Sequence, residues 1–178
     1  LTIYYEGNKA CGPLSLTLER GERLALLGGN GCGKSSLIKL ICGEPLDYRG
    51  GLYRGGGLKI SYVPQQTASL NGSLTAFAAG QGLEFSLFFA LLRQLDLPPG
   101  HLQRDLAEFS AGQRKKVLLA ASLCQQAHLY VWDEPLNFID LISRIQLERV
   151  LLRYQPTLIF AEHDRRFCDA VATASLQL

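Results

Sequence analysis

The 178-residue chain contains no methionine, a single tryptophan and only 19% charged residues. Its longest apolar stretches, Leu87–Leu92 and Val117–Cys124, fall far short of the ~18 residues that span a bilayer, so no direct membrane insertion is expected. The sequence opens Leu1-Thr2-Ile3-Tyr4-Tyr5, without a basic-then-apolar leader and without an initiator. An excerpt of a longer polypeptide, entered inside its first strand, is therefore expected. The five cysteines (Cys11, Cys32, Cys42, Cys124 and Cys168) are scattered and show neither a CxxC pair nor metal-ligand spacing. An odd, dispersed set suits a reducing compartment rather than a disulfide framework, which points to the cytoplasm. Neither sign of charge dominates: 18 Lys and Arg against 16 Asp and Glu leave a net charge of +2. This excludes a strongly basic nucleic-acid domain and an acidic tail, while a local basic patch stays open. No aromatic-plus-basic surface stands above background in the sequence. Repeats and low-complexity runs are also missing.

The chain does have enough apolar residues, 47%, to build a core. Leu14, Leu16 and Leu18 alternate with polar residues, which predicts a half-buried strand. Leu24–Leu27 is a short continuous apolar run, as in a strand buried on both faces. After the break at Gly28–Gly33, residues 35–42 resume at helical spacing, with Gly43 as the stop. A Gly-rich zone, Gly50–Gly57, precedes an expected strand over 58–63. Residues 67–108 read as mainly helical, broken at Pro98-Pro99-Gly100. Beyond them come a helix over 111–126, a strand over 129–132, a helix over 141–154, a strand over 157–161 and a helix over 165–171. Alternating strands and helices predict an α/β fold with a mainly parallel sheet. The core is assigned to 1–66 and 109–178, and the inserted helical subdomain to about 67–108.

Gly28-Gly29-Asn30-Gly31-Cys32-Gly33-Lys34-Ser35 fits the phosphate-loop pattern G-x-x-x-x-G-K-[ST], placed between a strand and a helix. Glycines let backbone N–H groups curl around phosphates, and the helix N-terminus adds its dipole. Lys34 would reach the β- and γ-phosphates, and the Ser35 hydroxyl would bind Mg²⁺. The strand Leu129–Trp132 runs into Asp133 and Glu134 at the sheet edge where ligands bind in such folds. Asp133 would hold Mg²⁺, and Glu134 would orient or deprotonate an attacking water. Ser110 and Gln113 form a capping-box pair at the head of the 111–126 helix. A capped N-terminus can also face an anion. The run Arg114-Lys115-Lys116 reads as a solvated helix face, with contact to RNA phosphates as the alternative. Cys32 reads as a small spacer in the loop.

Five segments in order resemble an ABC-type ATPase across nearly the whole chain. They are the phosphate loop, Tyr62-Val63-Pro64-Gln65, Phe109-Ser110-Ala111-Gly112-Gln113, the Asp133-Glu134 strand end, and Ala161-Glu162-His163-Asp164. The resemblance implies a P-loop NTPase core with a small antiparallel β region and an inserted helical subdomain. It implies ATP and Mg²⁺ as cofactors, with ATP held by Tyr5 against adenine and by Gly28, Gly29, Asn30, Gly31, Cys32, Gly33, Lys34, Ser35 and Ser36. Gln65 would link the metal and the water to the helical subdomain, and His163 would contact the γ-phosphate. Ser110, Ala111, Gly112 and Gln113 would serve the ATP of a second, facing ABC domain. Ala111 stands where the pattern has Gly, and Ser36 where it has Thr; neither change removes a catalytic group.

Asn137 within Pro135-Leu136-Asn137-Phe138-Ile139-Asp140, with Glu162-His163-Asp164 and Arg165-Arg166-Phe167, resembles the ABC-F group, closest to its antibiotic-resistance branch. That likeness implies a two-domain polypeptide that acts on the ribosome and its RNA. Ser110 lies only 45 positions after Gln65 (110 − 65), too few for an inserted arm, so the second of two ATPase domains is expected. The ATPase subunit of a membrane transporter and a non-hydrolysing ATP-dependent clamp remain as alternatives.

Overall fold

The computed structural model describes residues 1–5, 7–67 and 70–178. Glu6, within the expected core, and Ala68 and Ser69, within the expected helical subdomain, lie outside the described residues. The strands are β1 (Thr2–Tyr5), β2 (Asn8–Cys11), β3 (Arg23–Leu27), β4 (Asp47–Arg49), β5 (Ile60–Val63), β6 (Leu129–Asp133), β7 (Leu158–Ala161) and β8 (Ala174–Gln177). The helices are α1 (Lys34–Cys42), α2 (Leu74–Gly80), α3 (Phe85–Gln94), α4 (Ala111–Cys124), α5 (Leu141–Tyr154) and α6 (Arg165–Val171). The described chain divides into two compact units. One comprises Leu1–Tyr62, Ala127–Glu134 and Gln155–Leu178, and the other Val63–Gln126 and Pro135–Tyr154.

The first unit is built on a five-stranded sheet in the order β5-β6-β7-β3-β8. The pairs β6–β7, β3–β7 and β3–β8 are all parallel. Strand β3 has neighbours on both sides and apolar residues on both faces, which is why it reads as an unbroken hydrophobic run. Leu24, Leu26, Val131, Ile159 and Ala161 of the sheet meet Leu37, Ile38, Leu40 and Ile41 of α1 in one core cluster. Helix α1 ends where Gly43 turns left-handed (φ 96°) and its N–H returns to the Leu40 and Lys39 carbonyls. A second, antiparallel sheet has the order β2-β1-β4.

Two features differ from the sequence expectation. Leu14, Leu16 and Leu18 are half-buried and pack against the core while Ser15, Thr17 and Glu19 stay exposed, yet no strand forms there. Leu14 exchanges two hydrogen bonds with Leu1 (2.8 and 2.9 Å), and residues 15–19 join no ladder, so the alternation of an extended segment is present without its pairing. Conversely, β4 was not expected: its three residues, all exposed, carry no hydrophobic pattern and are ordered by pairing with β1.

In the second unit, α2 is capped by Ser73 Oγ accepting from Ala76 N, and α3 by the Glu84 carboxylate accepting from Ser86 N and Leu87 N. Phe88 is fully buried, with the rings of Phe77 and Phe89 at 6.2 and 5.6 Å. Pro99–His101 forms a single 3-10 turn at the expected break. The helical subdomain expected over 67–108 falls within this unit, which also takes in α4 and α5.

Candidate functional site

Within the first unit, the sheet register sets the site. Leu26 of β3 stands beside Ala161 of β7, and Ala161 beside Asp133 of β6. Because the three strands are parallel, the segments that follow them leave the sheet at one edge: Gly28–Gly33, Glu162–Asp164 and Glu134. Parallel sheets place their ligands at this carboxyl edge.

The loop from Gly28 to Gly33 packs tightly at two points. A Cβ on Gly33 (φ +98°) would come within 2.6 Å of Cys11 Cβ, and one on Gly28 (φ +147°) within 2.6 Å of Cys32 Sγ. Gly29 and Gly31 have open space around the same position. Lys34 begins α1 with its side chain buried, and its Nζ donates to the Gly28 and Gly29 carbonyls at 2.8 and 3.0 Å. The ammonium is thus folded over the loop, 3.9 Å from Cys32 Sγ. Ser35 and Ser36 lie half-buried in the first helical turn. A glycine cradle, a helix N-terminus and a cation make a set of donors complementary to a polyphosphate.

Asp133, the last residue of β6, is 2% exposed. Its charge and, above all, burial push the neighbouring Tyr62 hydroxyl up to about 12. A buried carboxylate and the Ser35 hydroxyl are hard oxygen donors of the kind Mg²⁺ takes, so the residues present fit that ion. Glu134 follows in a left-handed conformation (φ 48°), uncommon for a residue with a Cβ, and its N–H donates to the Ala161 carbonyl at 2.9 Å. Glu134 Oε1 lies 3.7 Å from His163 Nε2. Glu162, named in the sequence only as part of a motif and given no role of its own there, is buried, and its Oε1 accepts from the N–H groups of His163 and Asp164 at 2.7 and 3.3 Å. Asp164 caps α6 by accepting from Phe167 N. A carboxylate that turns its own chain just before the histidine is the local reason His163 leaves β7 at this point.

Strand alternation distinguishes the first tyrosines. Ile3 is fully buried, and Tyr4 beside it lies under the Arg49 guanidinium, 5.4 Å from the ring centroid. Tyr5 shares the Ile3 side of β1 and is 55% exposed.

In the second unit, Ser110 and Gln113 close the expected capping box, with Gln113 N donating to Ser110 Oγ at 3.2 Å and Ser110 N to Gln113 Oε1 at 3.0 Å. Gly112 faces Phe138: a Cβ there would run into the Phe138 carbonyl. Phe138 itself has φ 65° and is exposed. The basic run that follows is neither a solvated face nor a surface for RNA. Lys115 is fully buried, and its Nζ donates to the carbonyls of Pro64 and Gln65 at 2.8 and 3.2 Å. Lys116, also buried, sets its Nζ 2.6 Å from Asp140 Oδ2 and 3.2 Å from the Asp96 carbonyl. Arg114 donates to the Phe109 carbonyl. Helix α4 therefore grips the segment carrying Gln65 with one lysine and the segment 136–140 with the next. Residues at i, i+1 and i+2 fan out around a helix, and that geometry was the available sign that the three charges do not share one face.

A family profile described as ABC transporter matches residues 11–137. The ATP-binding protein Uup of Haemophilus influenzae is 36% identical over 167 residues, which cover 89% of this chain and 26% of that protein. The putative ATP-binding protein YdiF of Bacillus subtilis is 32% identical over 183 residues, covering 100% of this chain and 28% of its own length. The chain thus spans about a quarter of these relatives. Among solved structures, an ATP-binding subunit of an ABC transporter superposes with a TM-score of 0.79 at 23% identity, covering 100% of this chain and 83% of the other. A chain from the complex of the archaeal ribosomal stalk protein aP1 and the ribosome recycling factor aABCE1 gives 0.77 at 22%, covering 99% and 35%. At those identities the likeness establishes the fold. Among the described residues, no helix is long and apolar enough to cross a membrane.

Proposed function

The chain belongs to the ABC transporter ATPase family, whose members hydrolyse ATP, and from that membership we propose that it binds MgATP at the Gly28–Ser36 loop and hydrolyses it as one of two ABC domains of a longer, ribosome-acting polypeptide. The observation that carries the catalytic part is the Glu134–His163 pair, 3.7 Å apart at the sheet edge from which the phosphate loop also rises.

The bound metal would neutralise phosphate charge and polarise the scissile bond. Ser35 and Asp133 are the residues that would hold it. Lys34 trades the Gly28 and Gly29 carbonyls for phosphate oxygens, keeping two or more acceptors throughout. Glu134 orients a water and draws off its proton, while His163 fixes that carboxylate and donates towards the terminal phosphate. Tyr5, on the Ile3 side of β1, stacks on the adenine. Gln65 would link the metal and the water to the helical subdomain, as the resemblance to ABC ATPases implies. Ser110, Ala111, Gly112 and Gln113 complete the nucleotide site of the facing domain, so ATP binding joins two domains and hydrolysis parts them.

The ribosomal assignment rests on Asn137 and Glu162-His163-Asp164, which resemble the ABC-F pattern; drug displacement in the manner of its resistance branch is the finer form of this reading. The test uses the complete polypeptide. With Glu134→Gln, phosphate release should fall at least a hundredfold while ATP still binds and the protein is retained on sedimented ribosomes. Unchanged turnover overturns the role of Glu134. Retention with membranes instead of ribosomes favours the transporter subunit.

A further inference from the structure

A glycine is explained by its fold when its backbone is left-handed or when a Cβ would collide. Several glycines between β4 and β5 meet neither condition. Five of the eight residues in Gly50–Gly57 are glycine. Gly50 (φ +104°) and Gly57 (φ +71°) have conformational reasons, but Gly51, Gly55 and Gly56 have neither a positive φ nor any atom within 4 Å of an added Cβ. In the phosphate loop, Gly29 shows the same open space for the same physical reason: backbone bare enough for a ligand to approach.

The residues between these glycines supply chemistry that the sequence alone does not set above background and that the exposure of Tyr53 brings out. The stretch reads Arg49-Gly50-Gly51-Leu52-Tyr53-Arg54-Gly55-Gly56-Gly57, and from Tyr48 to Ile60 it carries Arg49, Arg54 and Lys59 with no acidic residue. Tyr53 is 92% exposed, an aromatic ring with no packing role. Arg49, four positions earlier, stacks on the Tyr4 ring. Arg54 lines an open cavity of about 600 Å³ together with Cys42, Gly55, Gly57, Leu58 and Ile60. The cavity adjoins Cys42, the last residue of α1, whereas Lys34 and the phosphate loop lie at the first, about 12 Å away along the helix axis.

We propose that the β4–β5 connection is a binding site for single-stranded RNA. Arg49, Arg54 and Lys59 follow the phosphates, and Tyr53 stacks on a base. The open cavity that Arg54 helps to line takes a neighbouring base, and the bare glycines let the strand lie against the backbone. An acidic protein segment would use the three cations but has no need of an exposed aromatic beside a cavity of nucleotide size. Binding here does not depend on ATP hydrolysis, because no residue of this surface belongs to the nucleotide site.

The complete polypeptide is titrated with a fluorescent 12-nucleotide oligouridylate over a range of salt, and the complex is cross-linked with ultraviolet light and mapped. Cross-links are expected on the peptide containing Tyr53. The double substitution Arg49→Ala/Arg54→Ala should weaken binding at least tenfold and lower the slope of log K against log salt by about 1.4, since each single-strand phosphate contact contributes about 0.7. Gly55→Val, for which the structure has room, should weaken binding with ATPase activity and thermal midpoint unchanged. Cross-links confined to other peptides with wild-type affinity in all variants overturn the proposal, as does binding of polyglutamate in preference to the RNA.

Discussion

Lys116 Nζ lies 2.6 Å from Asp140 Oδ2, joining helix α4 to the residue just before α5 inside the second unit. Burial raises the Asp140 carboxyl, but the bond from Lys116, the Ser143 N–H and the Ser143 hydroxyl together outweigh it and bring the group down to about 2. The folded value therefore lies below the ordinary 3.8, so the stabilisation is in full force above pH 4 and is lost as the pH falls towards 2. Asp140→Asn should lower stability at pH 7 by about 1 kcal/mol, a figure discounted because the carboxylate is half exposed. The same change should flatten the acid limb of the unfolding curve between pH 4 and 2. Chemical denaturation over that range checks both.

Lys115→Met removes a buried donor from the Pro64 and Gln65 carbonyls. The expected cost is about 1.5–3 kcal/mol of stability, the range for hydrogen bonds made by a charged group. Since one of those carbonyls is Gln65's, kcat should fall several-fold more than KM changes. Lys115→Arg, which keeps donors at the same place, should restore most of both losses. A loss of stability alone, with kcat intact at a temperature where the variant is folded, would leave Lys115 a packing residue.

The glycines of the phosphate loop should separate packing from ligand approach. Gly33→Ala collides with Cys11 and with the Ala10 carbonyl, so thermal stability should drop by several degrees. Gly29→Ala meets open space and should unfold like the parent, while nucleotide affinity falls about tenfold or more. Differential scanning fluorimetry with and without MgATP reads both effects at once.

Tyr5→Ala should lower ATP affinity about tenfold through lost stacking, whereas Tyr4→Ala, whose ring serves Arg49, should change it little. Binding of a fluorescent adenine nucleotide distinguishes them. Equal losses would mean that the β1 alternation does not select the adenine-facing ring.

His163→Ala should reduce turnover about a hundredfold or more with little change in ATP affinity, as for removal of one proton-handling group. Phosphate release under saturating ATP is the measurement.

The sheet and the glycine loop leading into α1 were legible because both depend on local sequence. Strands β3, β6 and β7 are apolar on both faces, and the residues that end β6 and follow β7 carry the carboxylates and the histidine. The glycine loop before α1 has a spacing that little else explains. What was not legible depends on partners distant in sequence. The Leu14–Leu18 segment has the pattern of a strand but no ladder, and β4 has a ladder but no pattern. Lys115 and Lys116 look like solvent-facing residues until Gln65 and Asp140 are seen to meet them, 50 and 24 positions away (115 − 65 and 140 − 116).

The two lysines of α4 are consecutive, so the segments they hold share one turn of helix. A substitution there that retunes the loop carrying Gln65 also shifts the neighbouring amine and, with it, the 136–140 stretch. Evolution or engineering of one segment is therefore tied to the other. Variants that succeed are expected to arrive in pairs, with a change near position 115 or 116 accompanied by one near 65 or 140, and either alone disfavoured. The helix imposes a linked inheritance on loops that the chain itself keeps far apart.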